Sequence, residues 1–225
     1  MIKDLFDKLS KTYDQDVIDC DNRGLFPFAG YQNLIDYIAA FINTRTENEP
    51  IKLLDLGIGT GFLPSKLFPE RLKVVGVDLS TQMLEIAGLR LPNADLYQFD
   101  FRLGLPETIL HEKFDYIVST YAMHHLTEEQ FIDYIHFMLE RLNPFGRIII
   151  GDIMFLNHRE RDNVRLANLE LWDETEHYHL FDYVIEHINK NLSINFYKIS
   201  FCSGILIIEN YHEHTLQDRE LLVKY

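Results

Sequence analysis

The apolar run "IKLLDL" begins at Ile51 and passes directly into "GIGTGF", which places glycines at positions 57, 59 and 61. A six-residue apolar run suits a strand buried on both faces, and alternate glycines permit backbone torsions and close approaches that a side chain would block. A chain with this feature has to turn sharply at the end of a strand, with a helix expected to begin near Phe62. Two readings stay open on these residues alone: a loop that cradles a ligand, or a tight strand-to-helix turn with nothing bound.

The pattern then becomes regular. Strands are expected at "LKVVGVD", "ADLYQF", "FDYIVST" and "GRIIIGDI", with a helix from about Ser80 and another at "FIDYIHFMLERL". Thr127 followed by Gln130 in "TEEQ" is a capping-box pattern that starts the latter helix. Strands alternating with helices at short spacing predict a mainly parallel sheet with helices on both faces. "LSINFYKIS" and "GILIIEN" are separated by a turn near Ser203 and Gly204, too short for a crossover, so an antiparallel hairpin is expected there.

Outside this core, a short helix is expected over Ile2 to Leu9, followed by a polar and aromatic segment, "KTYDQDVIDCDNRGLFPFAG". An amphipathic helix from about Tyr31 to Asn43 comes next. Residues 1–45 form an N-terminal cover too short to be a domain of its own. Residues 154–190 form a largely helical insertion-like region with a helix around Phe181 to Asn189, all within one domain of residues 1–225. The ending "YHEHTLQDRELLVKY" reads as a tail or peripheral helix.

Composition narrows the partners. The chain carries 21 Lys and Arg against 35 Asp and Glu, a formal charge of -14. That balance opposes nucleic acid and anionic membrane, and the sequence has no basic cluster to reverse it locally. No stretch approaches the ~18 apolar residues of a membrane span, and "MIKDLFDKLS" lacks a secretory signal, so a cytoplasmic protein is expected. Cys20 and Cys202 have no metal-type spacing and read as separate free thiols. His177 and His179, like His212 and His214, lack an identifiable ligand set, so no metal is expected. Oligomeric state is left open.

Downstream acidic residues give the glycine loop a context. Asp78 ends "VVGVD" seventeen residues beyond Gly61, where a carboxylate can accept hydrogen bonds from a ribose diol. Asp100 ends a further strand on the same expected sheet edge; the competing reading is that each aspartate caps a helix or tightens a turn. A nicotinamide-type loop is disfavoured because Phe62 stands where GxGxxG requires its third glycine or alanine, and no GxxxxGK[ST] phosphate loop is present.

These residues resemble the class I S-adenosylmethionine-dependent methyltransferase family. The resemblance rests on "LLDLGIGTG", "VVGVDLS", "LYQFD", "FDYIVSTYAMHHL" and "LNPFGRIIIGD", spans roughly Tyr13 to Asn210, and leans toward bacterial small-molecule methyltransferases. It implies an α/β Rossmann-like seven-stranded sheet in the order 3-2-1-4-5-7-6, with the seventh strand antiparallel. It also implies S-adenosyl-L-methionine as cofactor. Asp55 and the loop of Gly57, Gly59 and Gly61 would approach its amino-acid part, and Asp78 its ribose. Leu79, Met83 and Phe101 would border the adenine, with Asp100 at the exocyclic amine. Ser119 and Thr120 would lie near the methionyl portion, and Tyr13 would act as a lid.

Methyl transfer from a sulfonium needs orientation more than a protein nucleophile, so the catalytic residues are less constrained than the cofactor site. His124 or His125 is a candidate proton acceptor, Tyr121 a candidate positioning group and Asp152 a candidate rim residue. Competing roles are helix capping and core filling. "STYA" replaces the "NPPY" or "DPPY" of amino-methylating DNA enzymes, which with the acidic balance favours a small-molecule acceptor. That acceptor is expected between the sheet edge, the N-terminal cover and Trp172 to His179, bounded by Tyr13, Tyr121, Trp172 and Tyr178. The alternative function is an S-adenosylmethionine-binding regulatory protein without turnover.

Overall fold

Alternate residues of the central strands point into two separate apolar layers, and this sorting fixes where everything else packs. The computed structural model describes residues 7, 10, 12–44, 50–67, 72–188 and 191–210. The strands are β1 (Ile51–Leu56), β2 (Leu72–Asp78), β3 (Asp95–Gln98), β4 (Phe114–Thr120), β5 (Leu142–Phe155), β6 (His179–Leu180), β7 (Leu192–Lys198) and β8 (Ser203–Asn210). The helices are α1 (Tyr13–Asn22), α2 (Tyr31–Asn43), α3 (Thr81–Arg90), α4 (Glu128–Leu139), α5 (His158–Ala167) and α6 (Phe181–His187).

The sheet runs β3-β2-β1-β4-β5-β8-β7, with the two-residue β6 pairing β5 off this path. Leaving β6 uncounted, this is the order 3-2-1-4-5-7-6. Neighbours from β3 to β5 are parallel, whereas β8 is antiparallel to both β5 and β7. Leu53, Tyr116, Val118, Ile149 and Ile207 face the layer that holds Leu34, Ile35 and Ile38 of α2. Leu54, Ile117, Ile148, Ile150 and Leu206 face Phe131, Ile135 and Met138 of α4 on the other side. The period of two along each strand is what lets one sheet serve both helix layers.

Helix α4 begins at Thr127, where the capping box with Gln130 is formed in both directions, satisfying two otherwise orphaned backbone N–H groups. Helix α3 is capped by Ser80, whose hydroxyl accepts from the Met83 N–H.

Three expectations differ from the structure. The glycine loop is followed by a single 3-10 turn, Pro64–Lys66, rather than by a regular helix from Phe62; Pro64 supplies no N–H to continue a ladder. The segment read as polar and aromatic contains helix α1, which buries only Val17 and so lacks a visible apolar stripe. Within 154–190, α5 and α6 are helical, but residues 168–178 form turns and bends. Apart from Asp7, the expected helix over residues 2–9 lies outside the described residues, as do the tail and its His212 and His214.

Candidate cofactor and acceptor site

The parallel strands end together at one edge of the sheet, and the loops leaving those ends enclose a single cleft. Gly57, Gly59, Thr60 and Phe62 come from the loop after β1; Asp78, Leu79 and Met83 from the end of β2 and the start of α3. Asp100, Phe101 and Arg102 follow β3, while Thr120, Tyr121, Ala122 and His125 follow β4. Tyr13 and Tyr31 close the cleft from α1 and α2. This is the crevice at the carboxyl ends of strands where open α/β sheets bind ligands.

The loop is built around its glycines. Gly57, Gly59 and Gly61 all have positive φ, at 75°, 54° and 75°, a region costly for other residues. They do different work. A Cβ at Gly57 would lie 2.5 Å from that of Ala122, and one at Gly61 would lie 2.8 Å from Leu91 Cδ1. One at Gly59 would meet nothing nearer than Gly57 O at 4.0 Å. Gly57 therefore permits close packing against the β4 loop, Gly61 packs toward the end of α3, and Gly59 leaves space beside the loop.

Asp78 ties the loop to β2. Its Oδ2 accepts from the Gly59 N–H at 2.8 Å and its Oδ1 from the Ser80 N–H at 2.8 Å. Burial raises its pKa, partly offset by these backbone donors. Each carboxylate oxygen has further acceptor capacity, so a diol donating into the cleft can be held without breaking the loop. Asp100 is gripped by Arg102, with contacts of 2.8 and 2.6 Å to the guanidinium. That pairing holds its pKa below the usual carboxylate range.

Asp55 lies buried behind the loop and does not line the cleft; its Oδ1 has no hydrogen-bond partner among the described residues. Burial, reinforced by Asp78, pushes its pKa up to about 8. Ser119 is likewise absent from the lining: its hydroxyl donates to Leu56 O at 2.7 Å and ties β4 to β1. The strand period turns these two side chains away from the cleft. Gly61 also lies outside the lining.

The two histidines divide. His125 lines the cleft, and burial together with neighbouring His124 pushes its pKa down to about 4, leaving a neutral imidazole. His124 is buried beneath it with Nδ1 2.7 Å from Asp152 Oδ1. Asp152 is fully buried rather than on the rim, and it also accepts from the backbone N–H groups of Met123, His124 and Ile153. Burial disfavours charge on His124, but Asp152 and Glu176 outweigh it and raise its pKa. Asp152 is shifted down by the same pairing against its own burial.

The segment from Trp172 to His179 docks on this turn. The His177 N–H donates to His124 O at 2.8 Å, and His179 Nε2–H donates to Met123 O at 2.9 Å. Trp172 stacks on Phe26 and meets the Tyr178 ring edge-on. Neither Trp172 nor Tyr178 lines the cleft, so of the four expected boundary aromatics only Tyr13 and Tyr121 face it. Glu176 arrives with this segment, its Oε1 3.6 Å from His124 Nε2. The ligand atoms of His124, His125 and Glu176 all lie within 4.8 Å of one another.

Several lining residues escaped the sequence reading. Tyr31 and Phe62 pack ring against ring at a tilt near the loop, yet aromatic residues in amphipathic segments read as ordinary core. Arg102 follows Asp100 by two positions, a spacing that carried the only available signal.

The chain is 32% identical over 201 residues to an uncharacterized methyltransferase of Alkaliphilus oremlandii, covering 85% of this chain and 88% of that one. The chain belongs to the class I S-adenosylmethionine-dependent methyltransferases. A second methyltransferase, uncharacterized, from Oceanobacillus iheyensis is 33% identical over 160 residues, 71% of this chain and 70% of the relative. The family described as a methyltransferase domain matches residues 53–146, from β1 to the early part of β5.

The fold of this methyltransferase is similar to magnesium protoporphyrin IX methyltransferase from Synechocystis PCC 6803, a structure with bound SAH. The TM-score is 0.72 at 15% identity, over 93% of this chain and 98% of that one. S-adenosylmethionine is the cofactor of this methyltransferase. The residues present fit it: Gly59 leaves open space beside the loop, and Asp78 presents carboxylate acceptors on the cleft wall. Among the described residues, no helix is long and apolar enough to cross a membrane.

Proposed function

We propose that this methyltransferase transfers a methyl group from S-adenosylmethionine to a small-molecule acceptor by direct displacement. The observation that carries this reading is the meeting of the glycine loop, Asp78 and His125 on the walls of one cleft. The cofactor supplies an electrophilic methyl on a sulfonium: the C–S bond breaks as the acceptor lone pair forms the new bond, leaving a thioether. The chain's residues bind, orient and exclude water.

Asp78 accepts from the ribose hydroxyls; Leu79, Met83 and Phe101 border the adenine, and Asp100, steadied by Arg102, accepts from its amine. Gly57, Gly59 and Thr120 take the methionyl end, with Tyr13 closing over it. Asp55 and Ser119 act from behind the lining, Asp55 as a buried carboxyl that keeps its proton near neutral pH and Ser119 by holding β4 against β1. Tyr121 and His125 mark the acceptor end, where the neutral His125 imidazole makes the polar contact to the incoming group. His124 and Asp152 position that turn.

A formal charge of -14 disfavours a long polyanionic acceptor, which supports a small molecule. Incubation of the purified protein with methyl-labelled S-adenosylmethionine and fractionated small metabolites tests the reading. Label is expected in one low-molecular-mass fraction. Tight cofactor binding with no label transfer across all fractions would instead favour a regulatory binding protein.

A further inference from the structure

His124, His125 and Glu176 come together from two segments distant in sequence, and His124 and Glu176 are each oriented by a further group. Asp152 holds His124 through Nδ1 at 2.7 Å, which leaves Nε2 as the outward nitrogen, 3.6 Å from Glu176 Oε1. Glu176 is held in turn: its Oε2 accepts from the Tyr178 hydroxyl at 2.8 Å, so Oε1 is the oxygen turned toward His124. Metal-ligating histidines characteristically give their second nitrogen to a buried carboxylate, an arrangement that fixes ring orientation and raises ligand basicity.

We propose that His124 Nε2, one ring nitrogen of His125 and Glu176 Oε1 form a three-ligand site for a divalent transition cation of the zinc type. Zinc–ligand bonds of about 2.0–2.1 Å set tetrahedral ligand atoms roughly 3.3 Å apart. The His124–Glu176 separation of 3.6 Å is close to that edge. Two imidazoles and one carboxylate are a ligand set suited to such cations, and three protein ligands leave a position open. Glu176 also borders a solvent-open hollow shared with Glu128, Glu129, Asp162 and Glu174 against Arg161 and Arg165, an acidic route by which a cation can reach the site.

The inference rests on placing the acceptor at His125 and specifies what meets it there. A cation at the open position takes the acceptor's hydroxyl or thiol as fourth ligand and lowers its pKa. The acceptor proton passes to water before the lone pair attacks the methyl carbon.

The test is Co2+ titration of the full chain after chelator treatment, followed by visible ligand-field absorption, with Zn2+ competition. One equivalent of Co2+ with the intense bands of a four- or five-coordinate site is expected, displaced by Zn2+. Glu176→Gln and His125→Ala should each weaken binding by more than the ~10–100-fold typical of outer-shell changes, and Glu176→Gln, which lies outside the cleft lining, should retain S-adenosylmethionine affinity. Absence of stoichiometric Co2+ or Zn2+ binding, or binding indifferent to both substitutions, would overturn the site. Cation binding and cofactor binding are read separately, so loss of the site with label transfer intact would leave the methyltransferase reading standing. Label failure with the Co2+ spectrum intact would count against that reading alone.

Discussion

His124 Nδ1 lies 2.7 Å from Asp152 Oδ1, and neither side chain lines the cleft that adjacent His125 borders. The buried pair is therefore a support for the β4 loop. Asp152 collects three backbone N–H groups and one imidazole. In Asp152→Asn one acceptor oxygen becomes an NH2 facing donors, so a loss of about 2–4 kcal/mol is expected from unsatisfied buried groups and a broken charge pair. Urea unfolding with an unchanged m-value measures it; an unaltered midpoint would contradict the supporting role.

The loop glycines predict opposite phenotypes. Gly57→Ala drives a Cβ to 2.5 Å from Ala122 Cβ at a φ of +75°, which should cost about 2–3 kcal/mol of stability from overpacking and strain. Gly59→Val projects into open space, so only the backbone strain of roughly 1–2 kcal/mol is expected in the fold. Its effect should appear in binding, as at least a ~30-fold weaker Kd for S-adenosylmethionine, equivalent to about 2 kcal/mol. Calorimetry and thermal unfolding on both variants separate the two losses.

Asp78→Ala removes both an acceptor in the cleft and the bond that steadies Gly59. Hydrogen bonds to charged groups contribute about 1.5–3 kcal/mol each, so a weakening of S-adenosylmethionine binding by roughly 10- to 100-fold is expected. Binding of wild-type strength in this variant would remove Asp78 from the ribose site.

Asp55 gives a pH dependence with a definite sign. Its folded pKa of about 8 stands above the ordinary 3.8 because of burial and Asp78; Tyr31 is the other acidic group coupled to it. The folded chain therefore holds a proton that the unfolded chain releases. Stability from this group is present below pH 3.8 and is lost as pH rises through about 8, by at most ~1.4 kcal/mol per pH unit. Asp78, also raised, adds in the same direction. Asp55→Asn should flatten the decline in the cofactor-free protein between about pH 5 and pH 8. Equal slopes for variant and wild type in denaturant titrations would refute the assignment.

The strands were legible because β1, β2, β4 and β5 are buried and read as continuous apolar runs, and because Asp78 marks where β2 ends and Asp100 lies just beyond β3. Helix α1 was not, since a helix that buries only Val17 leaves no stripe. Asp55 and Ser119 were recognised as near the site but not as lying behind its lining, a distinction set by strand pleat and loop torsion. Glu176 stands about fifty residues from His124, and only the docking of its segment on the Met123–His125 turn brings them together. Such a juxtaposition has no local sequence signal.

Arg90 joins the N-terminal cover to the glycine loop. Its guanidinium donates to Thr60 O and Oγ1 and to Asp14 Oδ2, and Asp14 Oδ1 accepts from the Thr60 hydroxyl. Asp14 follows Tyr13, which lines the cleft, so this latch ties the segment carrying Tyr13 to the glycine loop. The Arg90 and Asp14 side chains are 29% and 27% exposed, which limits the pair's contribution to the fold to about 1 kcal/mol. The same ~1 kcal/mol applied to cover opening is a factor of about 5 in a rate or population. Arg90→Met, which keeps much of the packing over Phe62 while removing the charge, should therefore speed S-adenosylmethionine release about 3- to 10-fold with little change in Tm. Stopped-flow displacement measures the release rate. An unchanged rate would mean that the cover opens without breaking this contact, and that Tyr13 is held by its own packing against Phe28.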